Sequence, residues 1–230
     1  MALLFFSCNF DLNIGPGVRG NGNVITETRN MEGSFHSIKA TEGLDVYLTQ
    51  GNSESVKVQA DENLHDIIIT EIKDGVLHLH TEENIANSSA QKVMVEFDDL
   101  RSITSTSGSD VYSTNTIKAD QLKLKSTSGS DMELEIEANE ITCKSTSGSS
   151  LRLSGTTDRL SAESTSGSDI RAKDLKAKIC DARATSGSDI TLYSSEELTA
   201  KASSGADITY YGNPDKVNKR DGVSGSIRKH

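Results

Sequence analysis

Residues 125–134 read KSTSGSDMEL, and the hexamer at the heart of this stretch, STSGSD at 126–131, returns along the chain. It stands again at 105–110 and 164–169, as STSGSS at 145–150, as ATSGSD at 184–189 and as ASSGAD at 202–207. Its glycines fall at 108, 129, 148, 167, 187 and 205, in steps of 21, 19, 19, 20 and 18 residues. A degenerate copy, GVSGSIRK, puts Gly225 another 20 residues on. Near the start, IKATEGLDVYL frames Gly43 in the same way, with Thr41 two before it and Asp45 two after. A fixed period of this length marks a repeat architecture in which each copy is one structural unit.

Parity around the glycine decides what that unit is. Seven before it stand Leu122, Ile141, Leu160, Cys180 and Leu198; five before it, Ile103, Leu124, Cys143, Ala162, Ala182 and Ala200. Three after it come Val111, Met132, Leu151, Ile170, Ile190 and Ile208. Lys, Arg, Thr, Asp and Glu hold the positions between. Alternation with a period of two is a strand with one buried face, and it excludes a helix. Strands that recur about every twenty residues between short turns form a β-solenoid, with equivalent positions stacked about 4.8 Å apart. The Ser or Ala three before, one before and one after each glycine should then point inward at a pinched corner. Their hydroxyls would bond along their own column or to the corner backbone.

The expected fold is therefore all-β: a single-stranded parallel β-helix with coils of about 20 residues and an irregular N-terminal part. In residues 24–100, SIKAT, LDVYLTQ, SVKVQAD, IIITEIKDGVLHLHTE and KVMVEF read as strands, and KDG as a hairpin turn. The segment 82–92 reads as a loop, and NIGPGVRGNGN at 13–23 as a flexible tether. One domain is expected over 23–230, its coils clearest at 100–212, with residues 1–22 a shortened signal and tether.

Composition supports a thin interior. The chain of 230 residues is 34% hydrophobic, has no Trp, and carries five Phe and five Tyr, which argues against one thick core. A net charge of −10, with dispersed Lys and Arg, argues against nucleic acid as a partner. No apolar run is long enough to cross a bilayer. Three cysteines without a CxxC make neither a disulfide framework nor a zinc site, and Cys143 and Cys180 fall at core positions. Cys8 follows MALLFFS, which resembles the end of a bacterial lipoprotein signal. Cys8 is accordingly the expected lipidation site and membrane anchor; a frayed N-terminus is the alternative.

The outward positions form three columns. Two before the glycine lie hydroxyls: Thr41, Thr106, Thr127, Thr146, Thr165, Thr185 and Ser203. Two after it lie carboxylates: Asp45, Asp110, Asp131, Asp169, Asp189 and Asp207, interrupted by Ser150. Four before it lie Lys125, Lys144, Arg183 and Lys201, interrupted by Glu163. Unit charges stacked at this spacing repel by roughly 1 kcal/mol even in water, so the aspartates need compensation. Hydrogen bonds within each Asp's own turn would supply it, as would Arg152 and Arg171 alongside. Alternatively the strip takes a ligand across a shallow groove floored by the glycines. The candidate binding residues are Thr106, Asp110, Thr127, Asp131, Thr146, Thr165, Asp169, Thr185, Asp189 and Asp207. The candidate ligands are glycan hydroxyls or Ca²⁺, a hard cation suited to oxygen donors.

Enzyme signatures are missing. No GxSxG, HExxH or Cys/His pair is visible, and His78 and His80 share a strand face without a third ligand. The turns of the repeat are too short to wall the groove of a polysaccharide-cleaving β-helix.

The ordered combination of GNGNVITETRNMEGSFHSIKATEGLDVYLTQ, the tandem SGSD coils and a closing GNP…VSGSIRK resembles the DUF2807 family over nearly the whole chain, from about Gly20. These are secreted or lipid-anchored proteins, mainly of Bacteroidetes, described as adhesins with a head GIN domain. The resemblance implies a right-handed parallel β-helix and an outer-membrane lipoprotein or secreted protein of the cell envelope. It carries over no catalytic residue. The expectation is a non-catalytic surface binder, with an extracellular glycan or cell-surface ligand as partner and self-association through its sheet ends. The alternatives are a pectinase- or lyase-like β-helix enzyme, and a structural or lipid-binding envelope protein.

Overall fold

The alternation is obeyed coil after coil in the computed structural model, which describes residues 16–230. Five long strands carry the repeat: Ile117–Thr127, Asp131–Thr146, Ser150–Thr165, Asp169–Thr185 and Asp189–Ser203. Each pairs in parallel with the next, and the register sets like upon like: Thr127 lies beside Thr146, then Thr165, Thr185 and Ser203. One coil is thus a single bent strand closed by a tight turn, and the whole is a parallel β-solenoid.

The hexamer makes that turn. Ser128 and Gly129 both take positive φ, 57° and 71°, and the same Ser–Gly pair of left-handed residues recurs from Ser107–Gly108 to Ser204–Gly205. The Gly129 N–H donates to the Ser147 carbonyl of the following coil at 3.1 Å, so the ladder runs unbroken through the corner. Glycine adopts this conformation freely, whereas serine in it costs roughly 1 kcal/mol. The two left-handed residues also correct one expectation. Ser128, one before the glycine, is exposed, because the reversal swings it out of the alternation.

The other two serines do face inward and are fully satisfied. Ser126 Oγ donates to the Ser130 carbonyl at 2.8 Å. Ser130 Oγ accepts the Thr127 N–H at 3.1 Å, and lies 2.9 Å from the carbonyls of Thr127 and of Ser105 in the preceding coil. The arrangement recurs at Ser145 with Ser149 and at Ser164 with Ser168. Both hydroxyls thus close the turn, and the one after the glycine also clips it to the preceding coil. Above Ser168 the clip thins, to Ala184 with Ser188 and then to Ala202 with Ala206.

A coil of 19 residues is odd, so alternation cannot close on itself. In Asp131–Thr146 the buried positions run Met132, Leu134, Ile136, Ala138 and then Ile141, Cys143, Ser145, so Asn139 and Glu140 fall side by side outside the core. Asp158 and Arg159 repeat the slip one coil on. This is a second corner, opposite in character to the first. Gly155 sits just before it, at φ 108°, where any Cβ would strike the backbone of Ile136.

The N-terminal part is a coil with an excursion. Ser37–Ala40 and Asp45–Gln50 make the Gly43 coil, which stacks directly on Ser102–Ser105 and Asp110–Ser113. Between them the chain leaves, lays Val76–Thr81 and Gln91–Phe97 in parallel on the other side of the Gly43 coil, and returns. Ser55–Asp61 then pairs antiparallel with Gln91–Phe97, Val24–Arg29 with Ser55–Asp61, and Ile68–Lys73 with Val76–Thr81 through the expected Asp74–Gly75 hairpin. Phe35, Leu64 and Phe97 plug the core at this end. Burying such a side chain contributes about 1.5–3 kcal/mol. Part of the stretch read as a tether is pinned here. Val18–Arg19 pairs with Ile85–Asn87, and the N–H of Gly22 donates to Asp61 Oδ2 at 3.0 Å.

At the other end Lys216–Asp221 and Ser226–Lys229 form the Gly225 coil. Lys219 takes the place that Ala200 holds one coil earlier, and Asp221 the place of Ala202. The Lys219 ammonium lies 4.7 Å from the centre of the Tyr210 ring. Cys143 and Cys180 are core residues, as expected, and burial pushes their thiols up to about 12 and about 11.

Candidate functional site

The convex corner carries the candidate strip. Asp45, Asp110 and Asp131 lie in consecutive coils in register, as do Ser150, Asp169, Asp189 and Asp207 beyond them. The threonine column is equally regular, and each Thr Oγ1 lies 3.4–3.5 Å from the exposed Ser Oγ beside it in the coils of Thr127, Thr146, Thr165 and Thr185. A Cβ added at Gly108, Gly129, Gly148, Gly167, Gly187 or Gly205 would meet nothing within 4 Å. The glycines therefore crown a ridge and do not floor a groove, with threonines down one flank and aspartates down the other.

The aspartates do not make the turn bonds expected of them. From the Gly108 coil to the Gly187 coil the buried serine after the glycine takes that role, which leaves the carboxylates outside the turn. Asp110 instead accepts the N–H of Asp131 in the next coil at 3.3 Å and the Tyr112 hydroxyl at 3.4 Å. Arg171 pairs with Asp169 at 3.3 Å and Arg228 with Asp207 at 3.2 Å, whereas Arg152 turns to Glu133. Asp45, Asp131 and Asp189 accept no hydrogen bond from the described residues. Partial burial, with repulsion from the aspartates above and below, raises the carboxyls of Asp110 and Asp189 above the usual carboxylate range. Burial does the same to Asp45, opposed by Lys92.

Three features were not singled out in the sequence. Tyr47 and Tyr112 stack beside Asp45 and Asp110, with ring centres 5.4 Å apart, and the Lys92 ammonium lies 5.7 Å from the Tyr47 ring. Asp61, almost wholly buried, accepts backbone N–H groups from Gly22, Ser89 and Ala90 and so ties three segments together. Thirdly, a groove lies at the second corner, where neighbouring residues fall outside the alternation. Tyrosines at equal offsets from Gly43 and Gly108 would have shown the first feature, and the odd coil length the third; nothing in the sequence marks Asp61. Among the described residues no group of three or more His, Cys, Asp or Glu side chains is placed to hold a metal ion. Cys8 lies outside the described residues.

With this geometry in place, the relatives can be compared. The profile of the family described as "Putative auto-transporter adhesin, head GIN domain" matches residues 34–214, well over half of the chain. The chain belongs to the DUF2807 family. That description gives the family an adhesin-type role. Among solved structures, the DUF2807 chain superposes on a "putative adhesin" from Bacteroides fragilis NCTC 9343 with a TM-score of 0.85 at 22% identity, covering 93% of this chain and 100% of that one. A "putative lipid binding protein" from Parabacteroides distasonis ATCC 8503 gives 0.77 at 21% identity, over 93% and 99%. A "putative adhesin" from Parabacteroides merdae ATCC 43184 gives 0.75 at 17%, over 93% and 98%. At these identities the likeness is one of fold. No curated protein matches the DUF2807 chain.

Proposed function

We propose that this protein is an envelope-anchored or secreted adhesin that presents its Thr–Gly–Asp ridge to glycans on a neighbouring surface. The observation that carries the reading is the run of in-register carboxylates, among them Asp131 and Asp189 with no hydrogen bond accepted from the described residues. A ligand with hydroxyls at regular intervals meets one acceptor and one Thr–Ser hydroxyl pair per coil. The Tyr47–Tyr112 stack supports the same reading, because an aromatic face beside carboxylates suits the mixed apolar and polar surface of a sugar. Ca²⁺ is the second candidate ligand: among the described residues no three side chains converge on an ion, but two carboxylates of adjacent coils together with a ligand's own hydroxyls would supply oxygen donors and relieve the repulsion along the column.

A glycan array and a Ca²⁺ titration on the full chain test this, beside the double variant Asp131→Asn/Asp169→Asn. Expected is binding that the double variant weakens at least tenfold with its melting temperature unchanged. Flat responses in both assays, or undiminished binding by the variant, overturn it.

A further inference from the structure

A groove of about 870 Å³ runs along the second corner, at right angles to the strands. It exists because at this corner two or more consecutive residues of each coil fall outside the core, as at Asn139–Glu140 and Ser195–Glu197. Its floor is a column of small side chains, Ala138, Thr157 and Ala177. One wall is Lys118, Glu137, Thr156, Lys176 and Tyr193, one residue from each of five consecutive coils. Four intervals of the stack make it about 19 Å long. Tyr193 marks the far end, its ring steadied by the Lys176 ammonium 4.2 Å from the ring centre.

Two properties select the occupant. The first is charge. Three lysines and four carboxylates line the groove, and they answer one another: Lys118 pairs with Glu137 at 3.4 Å and Lys178 with Asp158 at 2.6 Å. Asn139 donates to Asp120 at 2.7 Å. Such walls present donors and acceptors alternately and little net field, which favours an uncharged partner over a polyanion or a basic peptide. Exposed ion pairs of this kind are worth under about 1 kcal/mol, so a hydroxyl can take the place of either member. The second is the backbone. A peptide strand binds a sheet through a free edge, whereas along this groove the main-chain groups are already used between coils. Recognition falls to side chains repeating at the coil spacing.

We propose that the groove seats an uncharged, equatorially linked polysaccharide, whose advance per sugar is close to the coil spacing. The axial C–H faces would rest on the small floor and against Tyr193, and the equatorial hydroxyls would meet the walls. This seat is separate from the ridge and stands whether or not the ridge binds anything.

The test is calorimetric titration of the full chain with a neutral β-1,4-linked hexasaccharide, with hexagalacturonate as the charged probe. Neutral binding is expected, weakened at least tenfold by Tyr193→Ala and about fivefold by Asp158→Ala, with both variants melting as the parent does. The double variant Asp131→Asn/Asp169→Asn separates the two surfaces: loss of hexasaccharide binding in it, with retention in Tyr193→Ala, overturns the groove. Tighter binding of hexagalacturonate, or no binding of the neutral probe by the folded parent chain, overturns it equally.

Discussion

The two ends of the stack are finished by different means. At the N-terminal end the chain doubles back, and the antiparallel strands Val24–Arg29 and Ile68–Lys73 become the outermost layer over a plug of Phe35, Leu64 and Phe97. At the C-terminal end no strand returns. The last coil places Lys219 and Asp221 where alanines stood before, and lays the lysine stem across Tyr210. An exposed sheet edge is a template for another chain, and an inward-pointing charge is a recognised way to blunt it. One end is therefore closed by extra structure and the other by chemistry, without lengthening the chain.

Breaking the N-terminal closure should have the largest effect. Asp61→Ala strands the backbone donors of Gly22, Ser89 and Ala90, and is expected to cost about 3 kcal/mol in denaturant unfolding. The next effect sharpens the contrast along the stack. Ser130→Ala leaves the Thr127 N–H without its acceptor and should cost about 2 kcal/mol. Ser126→Ala/Ser130→Ala should cost less than the sum of its two single changes, because the Gly205 coil already runs on Ala202 and Ala206.

At the other end, Lys219→Leu should change folding stability by about 1 kcal/mol or less. Its main effect should be stronger concentration-dependent association in sedimentation velocity than the parent chain gives. The smallest effect concerns the ridge. Because burial and its neighbours raise the Asp110 carboxyl, the folded state favours the protonated form. That contribution is complete below the normal carboxylate range and is lost as pH rises through the raised value. Asp110→Asn should therefore stabilise the protein slightly at neutral pH, by less than about 0.5 kcal/mol, and not at all near pH 3.

Much of this was legible beforehand, for identifiable reasons. A glycine every nineteen or twenty residues with apolar neighbours at odd offsets can be satisfied only by stacked strands, so the coils and the in-register aspartates followed directly. The outward swing of Ser128 did not follow, because parity counting assumes extended backbone and the turn contains two left-handed residues. That the inward serines bond the corner backbone also followed, but not that they would do so in place of the aspartates. Asp and Ser can both cap a turn, and only the buried position of Ser130 decides between them. The clasp at Asp61 depends on partners 28 to 39 residues away, beyond the reach of any local pattern.

The hydroxyl clip between successive coils has a consequence for how such a molecule can change. Because Ser130 fastens its turn only to the one before it, a tandem duplication of a whole unit would insert itself like a brick into a column, meeting identical faces above and below. The protein's reach could grow by about 4.8 Å per added copy while both terminal finishes stay as they are. Each added copy would also extend the Thr–Gly–Asp ridge by one set, so length and outward surface would grow together.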